Sequence, residues 1–148
     1  MRPITYSLQF RGQAAERAGG LQKHVRAPGC ALVTSLGPGG VEGSFVWAPD
    51  DEEAFLESTL VFTGNESFEE RGRIVFARGH SLLIAGQGQL FASPDPHLSQ
   101  GTVVWTVTGG DGQFHEASGR ITSTFLLSDT GDLTENQLGV IFANGSRP

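Results

Sequence analysis

The chain has 148 residues, 38% hydrophobic and 18% charged, with 21 glycines, one cysteine and a formal net charge of −6. Such a length predicts one domain over residues 1–148, able to bury roughly two thirds of its unfolded surface without disulfides. Ten Lys and Arg against sixteen Asp and Glu, with no basic cluster, exclude the footprint of a phosphate backbone, and no apolar run reaches the ~18 residues of a membrane helix, so neither nucleic acid nor membrane is an expected partner.

Residues Met1 to Arg11 alternate polar and apolar with no continuous apolar stretch, which predicts folded structure in place of a signal peptide and a cytoplasmic location. Ile4, Tyr6, Leu8 and Phe10 set the period of two of a strand with one buried face. Residues 12–29 contain Gly19-Gly20 and Pro28-Gly29 and are expected to form a loop, with one helical turn through Gln13 to Arg17. Cys30, the lone cysteine, excludes an intrachain disulfide and a paired-cysteine zinc site; beside Ala31, Leu32 and Val33 it reads as a small buried hydrophobe, with a reactive thiolate as the alternative. Ala31–Leu36 and Val41–Trp47 flank Gly37-Pro38-Gly39-Gly40 and predict a hairpin. The acidic stretch Ala48 to Glu53 is a solvated connector.

Further strands are expected at Glu57–Thr63, Ser67–Ala77 and His80–Phe91, the last bulged or bent at Gly86 and Gly88 and ended by Ser93-Pro94-Asp95-Pro96. Thr102–Thr108, Arg120–Ser128 and Leu133–Phe142 follow, with glycine-bearing turns between them and a tail over 143–148. Such a run of short strands without a long 3.6-residue period predicts an all-β, antiparallel fold. A closed barrel of about eight to ten strands removes exposed edges and uses glycine at its bends; a single cysteine excludes the disulfide-bonded immunoglobulin sandwich.

From Thr108 to Thr122 the chain reads TGGDGQFHEASGRIT, and Gly110, Gly112, Phe114, Ala117 and Gly119 resemble the signature before a late barrel strand in allene oxide cyclases, dirigent proteins and their small bacterial relatives. The glycines suit a tight reversal and Phe114 a plug at one end of the core. The resemblance implies a small antiparallel barrel with an interior cavity, assembled as a homodimer or homotrimer, whose members cyclise, couple or bind apolar small molecules. The plant cyclases' catalytic residues find no counterpart in the N-terminal half.

No nucleophile elbow, phosphate loop, dinucleotide fingerprint or HExxH motif is present. His24, His80, His97 and His115 are widely spaced, with His24 and His97 in expected loops, so no metal is expected. In a closed sheet, a polar residue in the inward register marks a site. Glu70 shares a face with Phe68, Gly72, Ile74 and Phe76, where desolvation would raise its pKa into the range of an acid or base; a rim position or a partner such as Arg120 is the alternative. His80 leads a register through Leu82, Ile84 and Gly86 and would sit at the cavity mouth, or else in a surface turn. Asn136 falls with Leu138, Val140 and Phe142, the more apolar face of its strand, and would polarise an oxygen.

Glu70, His80 and Asn136 are therefore the catalytic candidates, and Trp105, Phe125, Phe142 and Phe76 the residues shaping an apolar substrate. The expected function is a small-molecule-binding barrel acting, without a cofactor, as an isomerase, cyclase or lyase by proton transfer. A non-catalytic binding barrel and a structural domain filled by its own side chains are the alternatives.

Overall fold

The computed structural model describes residues 1–27, 30–47 and 52–144. Among the described residues ten strands follow one another: β1 (Arg2–Arg17), β2 (Gly20–Ala27), β3 (Cys30–Gly37), β4 (Gly40–Trp47), β5 (Ala54–Phe62), β6 (Ser67–Ala77), β7 (His80–Ala92), β8 (Leu98–Asp111), β9 (Ser118–Ser128) and β10 (Asp132–Ala143). Eight close into an antiparallel barrel in the order β1-β10-β9-β8-β7-β6-β5-β2, with β1 pairing both β10 and β2. The β3–β4 hairpin stands apart as a two-stranded sheet, turning between Gly37 and Gly40 as expected. Around the ring the chain is thus four hairpins, β1–β2, β5–β6, β7–β8 and β9–β10. No helix among the described residues is long and apolar enough to cross a membrane.

The expected loop over residues 12–29 is instead the end of β1 and all of β2, joined by a tight turn in which Gly19 takes φ +78°. Pro28 and Gly29 lie outside the described residues. The strand went unread because its inward series, Leu21, Lys23, Val25 and Ala27, is broken by a charge. Residues Ala48 to Asp51 of the acidic connector and the end of the 143–148 tail from Gly145 also lie outside the described residues, as does the Cys30 side chain; Ala143 closes β10.

A second correction concerns the facing of β10. Its buried positions are Leu133, Glu135, Gln137, Gly139, Ile141 and Ala143, so Asn136, Leu138, Val140 and Phe142, the more apolar set, face outward. Apolar character misassigns the faces here because the inward set carries hydrogen-bonded polar groups.

The interior is dense. Trp105, Phe10, Phe68, Phe125, Leu56, Leu60, Ile74, Leu82, Ile121 and Ile141 are all but inaccessible. Register explains how so many rings fit. Phe68 is opposite Gly88, Phe125 opposite Gly101 and Tyr6 opposite Gly139, and each ring lies over its glycine, where any added methyl would overlap it. Glycine is needed there for close approach, and the rings are held against the wall. The β7–β8 ladder slips near Leu83/Ile84 and the β6–β7 ladder between Val75 and Ala77, not at Gly86 or Gly88, which stay in register with Trp105 and Val103. One barrel end is stoppered by Phe114, 3% exposed, whose ring lies 5.3 Å from Phe76, with Phe76 edge-on to Tyr6 at 4.9 Å. The expected plug is where the glycine-rich signature put it.

Candidate functional site: a lysine between two glutamates

Burial of a charge in an apolar interior costs several kcal/mol unless it is paired and hydrogen-bonded. Three ionisable side chains nevertheless meet inside this barrel: Lys23 from β2, Glu70 from β6 and Glu135 from β10, all fully buried. The Lys23 ammonium donates to Glu135 Oε1 at 2.9 Å and lies 3.2 Å from Glu70 Oε2 and 3.3 Å from Glu70 Oε1.

Each carboxyl has further donors. Ser58 Oγ donates to Glu70 Oε2 at 2.6 Å; Ser123 Oγ donates to Glu135 Oε2 at 2.8 Å, and Gln137 Nε2 reaches the same oxygen at 3.5 Å. Tyr6 Oη in turn donates to Gln137 Oε1 at 2.7 Å. The network therefore runs from Tyr6 on β1 through β10, across to β2, and on to β6 and β5.

Aromatic walls enclose it. Lys23 Nζ lies 3.9 Å from the centre of the Phe125 ring and 5.8 Å from that of Trp105, a solvent-inaccessible cation over π faces. The Trp105 indole N–H is buried and has no hydrogen-bond partner among the described residues. An orphaned donor of this kind costs about 1–3 kcal/mol, which an acceptor on a guest would relieve.

Burial, the largest influence on Glu70, pushes its pKa up, and the charge of Glu135 adds to the rise against the opposing effects of Lys23 and Ser58. For Lys23, burial alone acts downward, but the charges of Glu135 and Glu70 and the hydrogen bonds to both outweigh it, and the ammonium is held above its usual range. The Tyr6 phenol is pushed up by burial, then by the charge of Glu135, and stays protonated.

Of the residues singled out from sequence, the structure brings Glu70, Trp105 and Phe125 together around Lys23. Phe76 lies toward the stoppered end with Phe114. Asn136 accepts from Gln9 on the outer face, and Phe142 is 41% exposed there. His80, at the start of β7, accepts the N–H of Gln113 at 3.0 Å; Gly86, the partner of Glu70, is six residues further along β7, roughly 20 Å at strand rise. Glu70 and His80 do not share a cavity. Two grooves open on the outside, one of ≈ 500 Å³ beside Ser67, Glu69, Gln87 and Thr102 and one of ≈ 270 Å³ beside Arg11, His24, Arg26 and Phe55.

Sequence reading overlooked Lys23, Glu135, Ser58, Ser123 and Gln137. A signal existed: Ser58-Thr59-Leu60 and Ser123-Thr124-Phe125 each precede a glutamate 12 positions after the serine. No cluster of three His, Cys, Asp or Glu able to hold a metal occurs among the described residues.

No family model matches the chain, and no curated protein matches it in sequence. Among solved structures, a pterocarpan synthase dirigent protein is similar at 15% identity and a TM-score of 0.48, over 100% of this chain and 90% of that one.

Proposed function

We propose that the chain is a small-molecule barrel of the allene oxide cyclase and dirigent kind, working in the cytoplasm without a cofactor as an isomerase, cyclase or lyase that moves a proton at the Lys23–Glu70–Glu135 centre. The observation that carries the reading is the centre itself: a carboxyl pair on one ammonium, wholly buried, beside an indole N–H in want of an acceptor.

Such a centre supplies acid and base together. With one carboxyl protonated and the other ionised, the carboxylate takes a proton from carbon next to a carbonyl while the acid returns one to the oxygen or to a neighbouring carbon; transfer between the two resets the pair, and no redox partner is required. Lys23 and the Trp105 N–H oppose the negative charge that develops on oxygen. A guest would have to enter by displacing buried side chains at the end bearing the β1–β2, β5–β6 and β9–β10 turns. There Leu21, Leu60, Phe68 and Leu133 are the next inward positions, and beyond them the chain turns.

The test uses protein carrying 5-fluorotryptophan and a panel of small ketones and enones in deuterated buffer. The reading expects at least one panel member to shift the Trp105 fluorine resonance and to exchange its α-hydrogen, with Glu70→Gln slowing exchange on the order of 100-fold or more. A panel that leaves Trp105 unmoved, or exchange equal in the variant, overturns it.

A second reading, a structural barrel, draws on the filled interior: the side chains named above occupy the axis. It requires a silent panel and a barrel that gains stability when the centre is replaced by apolar residues of similar volume.

Self-association belongs to the same proposal. The outer face of β8, β9, β10 and β1 carries Val104, Thr122, Leu138 and Ser7 in one cross-strand row and Thr106, Arg120, Val140 and Thr5 in the next. Leu138 is 56% exposed. Four strands about 4.8 Å apart, twelve residues long, offer roughly 700 Å², close to the ~800 Å² per partner of a stable interface. A homodimer or homotrimer through this face is the expected assembly.

A further inference from the structure

The two glutamates are built alike and held unequally. The hairpins β5–β6 and β9–β10 face each other across the ring, separated by β1–β2 on one side and β7–β8 on the other. In each, a serine on the first strand donates to a glutamate 12 residues on. Neighbouring inward positions correspond too, Leu56 with Ile121, Leu60 with Phe125 and Phe68 with Leu133. The likeness ends one inward step past the glutamates, where the first hairpin has Gly72 and the second Gln137. Glu135 consequently accepts from Lys23 at 2.9 Å, from Ser123 at 2.8 Å and, at 3.5 Å, from Gln137, which is oriented by Tyr6; Glu70 accepts from Ser58 at 2.6 Å and from Lys23, whose Nζ lies 3.2 and 3.3 Å from its two oxygens.

Two carboxylates and one ammonium leave a negative charge over, and at a centre closed to bulk solvent one proton is the means of neutralising it. We propose that Gln137, oriented by Tyr6, makes two otherwise matched carboxyls unequal, so that the proton resides on Glu70 and the charge on Glu135. Each donor aimed at a carboxyl favours its ionised form, and the extra one is at Glu135. The titratable groups facing the centre are Tyr6 from β1, Lys23 from β2, Glu70 from β6 and Glu135 from β10; the facing side chains of β5, β8 and β9, namely Ser58, Trp105, Ser123 and Phe125, bring no further charge. The lift that burial gives Glu70 agrees. Gln137 is a positioning residue, acting through Glu135. The assignment of Glu70 as acid and Glu135 as base rests on the proton-transfer reading for its use, while the location of the proton is measured without any guest.

The experiment is carbon NMR of the labelled glutamate carboxyls at pH 7, assigned with Glu70→Gln and Glu135→Gln. In the unmodified protein, Glu70 is expected at the position of a neutral acid and Glu135 at that of a carboxylate. In Tyr6→Phe/Gln137→Leu, where neither half of the removed bond is orphaned, the two resonances are expected to draw together. A neutral Glu135, two ionised carboxyls, or a double variant with both resonances unmoved overturns the proposal. If the double variant does not fold, the unmodified protein and Tyr6→Phe alone decide: Tyr6→Phe is expected to narrow the separation, and an unchanged separation overturns it. A silent ketone panel with these resonances as expected would sink only the functional reading, so the two failures are distinguishable.

Discussion

Replacing Lys23 by methionine keeps the length and apolar stem of the side chain and removes only its charge. In the folded barrel this strands Glu70 and Glu135 within one dry site, where the ammonium had lain 2.9 Å from one and 3.2 Å from the other. Breaking a buried pair on one side costs about 3–5 kcal/mol, because the remaining charge loses both water and partner. The contact of Nζ with the Phe125 ring at 3.9 Å is lost with it. For a chain of this length each kcal/mol moves Tm by roughly 2–4 °C, so Lys23→Met should melt about 6–20 °C below the unmodified protein at pH 7. The loss should shrink on acidification, since protonated carboxyls no longer repel. Adding Glu70→Gln and Glu135→Gln to Lys23→Met should recover most of it, each amide oxygen still accepting from Ser58 or Ser123. Urea titrations followed by tryptophan fluorescence, at pH 5 and pH 8, measure all three proteins. A Lys23→Met deficit under about 1 kcal/mol, or one equal at both pH values, would refute the argument that an ion centre occupies the axis.

Further outcomes follow from the same geometry. Glu70 has its pKa raised above the ordinary 4.5, so the folded state favours its proton; that stabilisation is complete below about pH 4.5 and is lost as pH rises through the folded value, and Glu70→Gln should abolish this part of the slope in a pH series of urea titrations. Lys23, raised above 10.5, contributes stability that is complete below pH 10.5 and lost as pH rises through its folded value, a limb that Lys23→Met should lack. Gly101→Ala puts a methyl into the Phe125 ring and should cost about 1–3 kcal/mol while altering the ring-current shift at Lys23 Nζ in NMR; an unchanged spectrum would contradict the stacking. Phe114→Ala opens the stoppered end and should cost about 3–5 kcal/mol by chemical denaturation. Leu138→Glu should reduce the mass measured by light scattering to that of one chain if the outer face joins copies.

The barrel was legible where turns carry glycine and strands alternate, as in β9, expected over Arg120–Ser128 and found over Ser118–Ser128 with Phe125 buried. Its centre was only partly legible. Glu70 drew notice among phenylalanines, but its partner stands in a stretch that resembled a loop because a lysine occupies an inward position of β2. Glu135 and Gln137 were passed over for Asn136 because hydropathy ranks the faces of an isolated strand, whereas the facing of β10 is decided by the charges and donors that its neighbours bring to the axis. Only the closed ring puts Lys23 beside residues 47 and 112 positions away in the chain.

A strand sliding by two residues keeps every side chain on its own face, and in a uniformly greasy tube such a slip goes almost unpunished. Here Lys23, Glu70 and Glu135 come from three separate hairpins. A slide of any of these three hairpins against the others would draw an ion away from its partners. The charges thus act as an index mark for the stagger of the staves, admitting one alignment of the cask among several that greasy contacts alone would tolerate.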